Sequence, residues 1–144
     1  MNIYEKAQNW AEELTEGFQR NAAALNHILD NHFNLSRSQL LSRFEIEGRK
    51  YATIFEAKYF SEIEPLIVDA LADEFEDVMA WSLSKQSGTM YAFSWDCDCE
   101  IGHGYKRDGY TGKVYAVKCG KLRIALCKDS NRNIYISSVY PCCY

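Results

Sequence analysis

The sequence predicts an α+β domain with helices in its first half and an antiparallel sheet in its second. Over much of residues 1–84, apolar residues recur every three or four positions, which is the period of an amphipathic helix. In several segments after residue 85, apolar and polar residues alternate, which is the period of a strand. The chain has 144 residues, 47% of them apolar, which is the size and composition of a single domain, 1–144, with its own core.

The first half is predicted to contain two long amphipathic helices, over residues 3–30 and 62–83. Each carries one continuous apolar stripe, which predicts that the helix packs on a sheet. Ser61 is followed three positions later by Glu64, which is the capping-box pattern at the start of a helix. We therefore expect both helices to cover one face of the sheet.

Shorter elements are predicted between and after these helices. A short helix is expected at 36–43, with Ser36 as its N-cap. Alternating residues on both sides of Gly48 predict a small extra hairpin at 44–55. Gly88 interrupts the helical pattern and marks the passage from helices to strands.

The second half is predicted to form a four-stranded antiparallel sheet. The expected strands are TMYAFSWDC, KVYAVKC, KLRIALCK and NIYISSVYP. Glycine at the first position of Gly120-Lys121 suits a tight type II′ turn between the second and third strands. That register would pair Cys119 with Leu122.

Composition limits the possible classes of protein. The N-terminal residues include early acids and no apolar core of a signal peptide, and no apolar run approaches the length of a membrane span. We therefore expect a cytoplasmic protein (host cytoplasm if phage-encoded) whose six cysteines are reduced thiols. We expect no cofactor, because the sequence has no nucleotide-binding loop and no nucleophile motif.

Charge is distributed unevenly along the chain. The net charge is −4, but residues 1–80 carry seven basic and fifteen acidic residues, whereas residues 81–144 carry nine basic and five acidic ones. Like charges four positions apart on a helix are slightly destabilising, which favours a role in recognition for the acids of the second helix. The leading hypothesis is therefore a non-enzymatic inhibitor of the immunity-protein or phage anti-CRISPR type. It would bind a basic nucleic-acid-binding protein, and a homodimer is also possible.

The contact surface predicted for this inhibitor combines helix carboxylates with tyrosines near loops. Its carboxylates would act as a mimic of nucleic acid, and tyrosines are enriched at binding hot spots. The residues are Glu12, Glu16, Asp69, Asp73, Glu76, Asp77, Tyr105 and Tyr110, with Tyr140 and Tyr144 as further exposed aromatics.

The stretch DCDCEIGHGYKRDG, residues 96–109, is predicted to be the end of a strand that continues into a polar hairpin loop. An alternative function arises from this loop: a metal-independent endoribonuclease in which His103 removes a proton and Lys106 and Arg107 stabilise the phosphorane. Cations elsewhere in the second half, Arg123, Lys118 or Arg132, would then hold phosphates.

The same stretch permits a second alternative, a small zinc-dependent nucleic-acid binder. Zinc sites need about four converging thiolate or imidazole ligands. Cys97, Cys99, His103 and Cys142 could provide them.

The end of the chain resembles a known group of toxins. A four-stranded sheet after helical segments, ending in Ser137, Ser138, Val139, Tyr140 and Pro141, is similar to RelE-like and colicin-type ribonuclease toxins over residues 89–141. This resemblance implies cleavage of RNA and supports the endoribonuclease alternative.

Overall fold

The computed structural model describes residues 1–84 and 90–143, with the backbone alone at position 47. The helices among these residues are α1 (Ile3–Arg20), α2 (Ala22–His32), α3 (Arg37–Glu47), α4 (Phe60–Asp73) and α5 (Phe75–Ser82). The strands are β1 (Tyr51–Phe55), β2 (Tyr91–Asp96), β3 (Gly102–Arg107), β4 (Val114–Cys119), β5 (Lys121–Lys128) and β6 (Ile134–Cys142). The predicted break at Gly88 and the predicted exposure of Tyr144 concern residues outside this description.

The strands form two three-stranded antiparallel sheets. One sheet has the order β1-β3-β4 and the other the order β2-β5-β6. The predicted α+β class is therefore correct, but the prediction of two long helices on a single four-stranded sheet is wrong. The reason is that β1 and β3 pair with each other and draw β4 into their sheet, away from β5.

Each predicted long helix is divided in two at a single residue, which stands at the N-cap position of the next helix. Asn21 leaves the helical conformation, with ψ at 91°, and its side-chain oxygen accepts a hydrogen bond from the backbone N–H of Ala24 at 3.2 Å. Asparagine is among the best N-caps, so α1 ends and α2 begins here. Glu74 separates α4 from α5 in a similar position. The continuous helices predicted over 3–30 and 62–83 are therefore wrong.

The start of α4 also differs from the prediction. Tyr59 is the N-cap, and the carboxylate of Glu62 accepts a hydrogen bond from the Tyr59 backbone N–H at 3.0 Å. The capping box predicted at Ser61 and Glu64 therefore lies two positions too late along the chain.

Of the two elements predicted around residue 48, one is confirmed and the other is wrong. The N-cap at Ser36 is confirmed, since its hydroxyl oxygen accepts a hydrogen bond from the Gln39 backbone N–H at 3.1 Å. Helix α3 then continues to Gly48, which ends it in the left-handed conformation with φ at 61°. The predicted hairpin at 44–55 is wrong, because its first part belongs to α3 and its second part is β1, which pairs with the distant β3.

The predicted polar loop contains strand β3. Gly102 and Gly104 allow β3 to approach β1 closely: a Cβ at Gly104 would collide with the Ala52 carbonyl oxygen and lie 2.8 Å from the Thr53 Cα. The two glycines are therefore required for close strand contact rather than for a turn. The interpretation of 96–109 as a strand end with a loop holds only up to the start of β3.

The tight hairpin predicted at Gly120-Lys121 is also wrong. Cys119 pairs with Gly102 in one sheet, whereas Lys121 pairs with Asp96 and Cys142 in the other. Gly120 therefore lies where the chain passes from one sheet to the other. Its carbonyl oxygen accepts a hydrogen bond from the backbone N–H of Cys97, the residue that follows β2.

The core lies between the helices and the β2-β5-β6 sheet. Helices α1 and α4 pack on each other, and α1 also packs on β6. The sheet face beneath them carries fully buried side chains, among them Leu122, Ile124 and Val139. The two sheets meet where β1 lies against β6. There the Thr53 hydroxyl donates a hydrogen bond to the Pro141 carbonyl oxygen at 2.6 Å. Within the described residues, no helix is both long and apolar enough to cross a bilayer.

Candidate active site

A pocket of about 340 Å³ lies where α2 ends, between α3, β1 and β6. It combines one histidine, three cations and two tyrosines, and no carboxylate is among its lining residues in the described part of the chain. The lining residues are His32, Arg43, Arg49, Lys50, Tyr51, Ala52, Thr53 and Tyr140.

His32 is held in one orientation at the last position of α2. Its Nδ1 atom lies 2.9 Å from the Thr53 carbonyl oxygen. A carbonyl oxygen only accepts hydrogen bonds, so Nδ1 carries the proton, and in the neutral ring Nε2 is left as the basic nitrogen. The ring stacks on Tyr140, with centroids 5.6 Å apart and planes 18° apart.

The environment of His32 keeps its imidazole neutral. The pKa of His32 is lowered from 6.5 to about 4, mainly by burial and in addition by the nearby positive charges of Arg43 and Arg49, against the opposing effect of the Thr53 hydrogen bond. The ring therefore has an available lone pair at neutral pH, as a general base requires.

The cations surround this histidine from two elements. Arg43 on α3 donates a hydrogen bond from Nη1 to the Asn31 carbonyl oxygen at 2.6 Å, which fixes the guanidinium beside the end of α2. Arg49 and Lys50 lie in the exposed connection between α3 and β1. Such a group of positive charges attracts an anion of phosphate type.

The histidine singled out by the sequence lies elsewhere. His103 on β3 is 3.5 Å from the Glu56 carboxylate, in a second pocket of about 410 Å³. That pocket is also lined by Glu100, Lys118 and Arg37, and Lys118 lies 3.9 Å from the Glu100 carboxylate. Its acids and bases balance, so it attracts a phosphate less than the pocket around His32 does.

The structure does not bring the three residues of the predicted catalytic loop together. Strand alternation places His103 and Arg107 on one face of β3 and Lys106 on the other. Arg107 lies 4.8 Å from the centre of the Phe44 ring and 3.7 Å from the Glu45 carboxylate. Lys106 lies instead over the ring of Tyr51, a lining residue of the His32 pocket, at 5.7 Å.

The predicted zinc ligands do not converge. Among the described residues no three His, Cys, Asp or Glu side chains are arranged to hold a metal ion. Burial raises the pKa of Cys97 to about 11, so this thiol is protonated at neutral pH. Cys99 is exposed, Cys142 is buried, and His103 interacts with Glu56.

The predicted acidic surface is divided among several places. Asp73 and Asp77 lie on different helices, because α4 ends at Asp73 and α5 begins at Phe75. Asp73 accepts a hydrogen bond from the Trp95 indole at 2.8 Å, and Asp77 lies in the first turn of α5, where a negative charge is favourable. Neither carboxylate therefore needs a partner protein to explain its presence.

Other members of the predicted surface lie in separate regions. Glu12, Glu16 and Asp69 line a groove between α1 and α4, and Glu76 is exposed in the first turn of α5. Tyr105 packs near the Phe44 ring, with centroids 6.5 Å apart, and Tyr110 is fully exposed in the turn between β3 and β4.

Reasoning from sequence missed most of the pocket. Of its residues, only Tyr140 was singled out. The available signal was three cations within residues 43–50, RFEIEGRK, in a half of the chain whose net charge is negative. Two glutamates in the same segment, and the negative sum over eighty residues, concealed these cations.

The fold and the pocket together define an α+β domain with a cationic, histidine-containing site beside a two-sheet junction. The family model for the bacterial CdiA-CT RNAse A domain matches residues 26–141, which include every lining residue of the pocket. The chain belongs to this family. No curated protein matches it.

A solved structure has the same fold. It is the crystal structure of the CdiA-CT/CdiI complex from Y. kristensenii 33638, in which the matched chain is 20% identical, with a TM-score of 0.63. The match covers 81% of this chain and 99% of that chain. At this identity the similarity concerns the fold.

Family membership overturns the leading hypothesis from sequence. A non-enzymatic inhibitor of the immunity or anti-CRISPR type is the wrong class, because the matching family is described as a ribonuclease domain. The endoribonuclease alternative is closer, although the family is the RNAse A domain rather than the RelE-like one. The basic nucleic-acid-binding partner expected for an inhibitor is likewise not supported.

Proposed function

We propose that this chain is an endoribonuclease that cleaves RNA without a metal ion, with His32 as the general base. The observation that carries the proposal is a pocket in which a neutral, oriented imidazole lies among Arg43, Arg49 and Lys50. Membership of a family described as an RNAse A domain supports it independently.

The pocket contains the groups needed for transfer within the RNA strand. Nε2 of His32 takes the proton of a ribose 2′-hydroxyl, and the 2′ oxygen forms a bond to the neighbouring phosphorus. The bond from phosphorus to the 5′ oxygen of the next nucleotide breaks. That oxygen takes a proton from a donor at the pocket, where Lys50, Tyr51 and Tyr140 lie. The products are a 2′,3′-cyclic phosphate and a 5′-hydroxyl end.

The cations stabilise the transition state of this reaction. Negative charge accumulates on the phosphorane oxygens, and Arg43 is already fixed beside His32 by its hydrogen bond to the Asn31 carbonyl oxygen. A bound phosphate also offsets the positive charges that lower the pKa of His32, so the imidazole becomes a stronger base when RNA is bound.

The test compares two histidines on one RNA substrate. His32→Asn keeps an amide donor near the Nδ1 position but lacks a base, and should reduce kcat at least about 100-fold, with wild-type cleavage persisting in EDTA. The matched control, His103→Asn, should retain activity. Replacing the 2′-hydroxyl at the cleaved position by hydrogen should abolish cleavage. Loss of activity in His103→Asn with full activity in His32→Asn would contradict the proposal.

We also infer that the chain binds a protein partner. The similar solved structure is a CdiA-CT/CdiI complex, which supports this inference. The groove lined by Glu12, Glu16 and Asp69 is the contact surface that we propose. Affinity capture from the source bacterium should retain one partner on the wild-type chain and lose it from a Glu16→Lys, Asp69→Lys double variant. Equal retention by both chains would place the contact elsewhere.

A further inference from the structure

The open face of the β2-β5-β6 sheet carries a row of polar side chains that leads away from the His32 pocket. Tyr140 is paired directly with Arg123 on β5, and Arg123 is paired directly with Ser94 on β2. Directly paired residues project from the same face of a sheet, with Cβ atoms about 5 Å apart. Tyr140 lines the pocket, so Arg123 is the next side chain beyond it.

Arg123 differs from the other two cations that the sequence suggested for holding phosphate. Lys118 lies 3.9 Å from the Glu100 carboxylate, and Arg132 donates a hydrogen bond to the Ser84 carbonyl oxygen at 2.6 Å. Arg123 donates from Nη1 to the Ser94 hydroxyl oxygen at 3.0 Å, and no carboxylate in the described part of the chain forms an ion pair with it. No ion pair within residues 1–84 and 90–143 therefore neutralises its charge.

The side chains beside this row are short. The neighbouring row on the same face consists of Ala92, Ala125 and Ser138, which are small. The core face of β5, with Leu122 and Ile124, is the one that packs on the helices. An extended RNA strand can therefore lie on the small residues and still reach the guanidinium.

We propose that Arg123, oriented by Ser94, binds the phosphate of the nucleotide next to the one cleaved in the His32 pocket. This assignment rests on the proposed ribonuclease function and extends it to a second subsite. A guanidinium and a hydroxyl together offer several donors to phosphate oxygens, and an arginine without a carboxylate partner loses no ion pair when it binds.

The first experiment measures binding without cleavage. The probe is a fluorescently labelled 2′-O-methyl hexanucleotide of mixed sequence, and the protein is His32→Asn with or without Arg123→Gln. We expect Arg123→Gln to raise Kd roughly tenfold and to lower the slope of log Kd against log salt by about 0.7, the value for one phosphate contact on a single strand. Arg20→Gln, which removes the same charge from α1, is the matched control and should leave Kd unchanged.

Further variants and substrates test the assignment more closely. Arg123→Lys keeps the charge and should keep the salt slope, which also checks that the sheet still folds. In the active chain, Arg123→Gln should raise KM for a hexanucleotide but not for a dinucleotide, which has only one phosphate. Binding by Arg123→Gln that equals binding by the Arg20→Gln control would overturn the subsite. So would a loss confined to guanine-containing oligonucleotides, because that pattern indicates base recognition.

The outcomes separate this inference from the proposed function. A chain that binds the probe through Arg123 but cleaves no RNA would refute the ribonuclease and retain the subsite. A chain that cleaves RNA and binds the probe independently of Arg123 would refute the subsite alone.

Discussion

The buried imidazole of His32 should make the protein sensitive to mild acid. In the folded chain the pKa of His32 is about 4, because burial disfavours the charged ring, whereas the ordinary value is 6.5. Between these two values the unfolded chain binds a proton that the folded chain does not. Stability therefore falls as the pH falls through this window, and it is retained above 6.5.

The size of this effect follows from the two pKa values. Each pKa unit corresponds to about 1.4 kcal/mol, so protonation of the unfolded chain costs about 2 kcal/mol of stability between pH 7 and pH 5. Below about pH 4 the full loss is roughly 3 kcal/mol. His32→Asn should remove this part of the pH dependence, because the amide that replaces the ring does not titrate.

Urea denaturation at pH 7 and pH 5 measures the effect. The free energy of unfolding of the wild-type chain should fall by about 2 kcal/mol more than that of His32→Asn over this interval. His27→Asn, which removes an exposed histidine five positions earlier on α2, should keep the acid sensitivity of the wild type. Equal pH dependence in the wild type and in His32→Asn would refute the reasoning that His32 is buried as a neutral base.

Three further predictions concern the site and the fold. In the pH profile of kcat/KM for RNA cleavage, the acidic limb should have its midpoint near pH 4, because kcat/KM reports the free enzyme and His32 has a pKa of about 4. A midpoint near pH 6.5 would contradict this. Gly104→Ala should reduce stability to urea by about 2–3 kcal/mol because its Cβ would collide with the Ala52 carbonyl oxygen, whereas Gly109→Ala, with nothing within 4 Å, should cost little. Asn21→Ala should cost about 1 kcal/mol in the same assay through loss of the α2 cap, and an unchanged midpoint would show that this cap is not needed.

Local patterns in the sequence were reliable where a single element decides the outcome. The Ser36 cap was predicted correctly because the serine and the backbone N–H that it binds are three residues apart. The extents of helices were less predictable. An apolar stripe continues through Asn21 and Glu74 although each residue begins a new helix, because the stripe reports which side is buried and not whether the axis is continuous.

The charge pattern was summed over segments too long to reveal the site. Segregation of charge between the two halves is real in the sequence, but an inhibitor surface was the wrong inference from it. Arg43, Arg49 and Lys50 belong to the acidic half and nevertheless form the cationic side of the pocket. A site is formed by the charges within a few ångströms of one another, and a regional sum does not contain that information.

The sequence by itself determined the α+β class, the approximate positions of most strands, and the residues available for chemistry. The tertiary structure alone decided which of these residues meet. His32 and Tyr140 are far apart in the chain, and they stack because β6 lies against β1 and the end of α2. Strand pairing depends on packing and register between residues that are distant in the chain. Small residues such as Gly102 and Gly104 make it possible, but they leave no periodic pattern in the sequence.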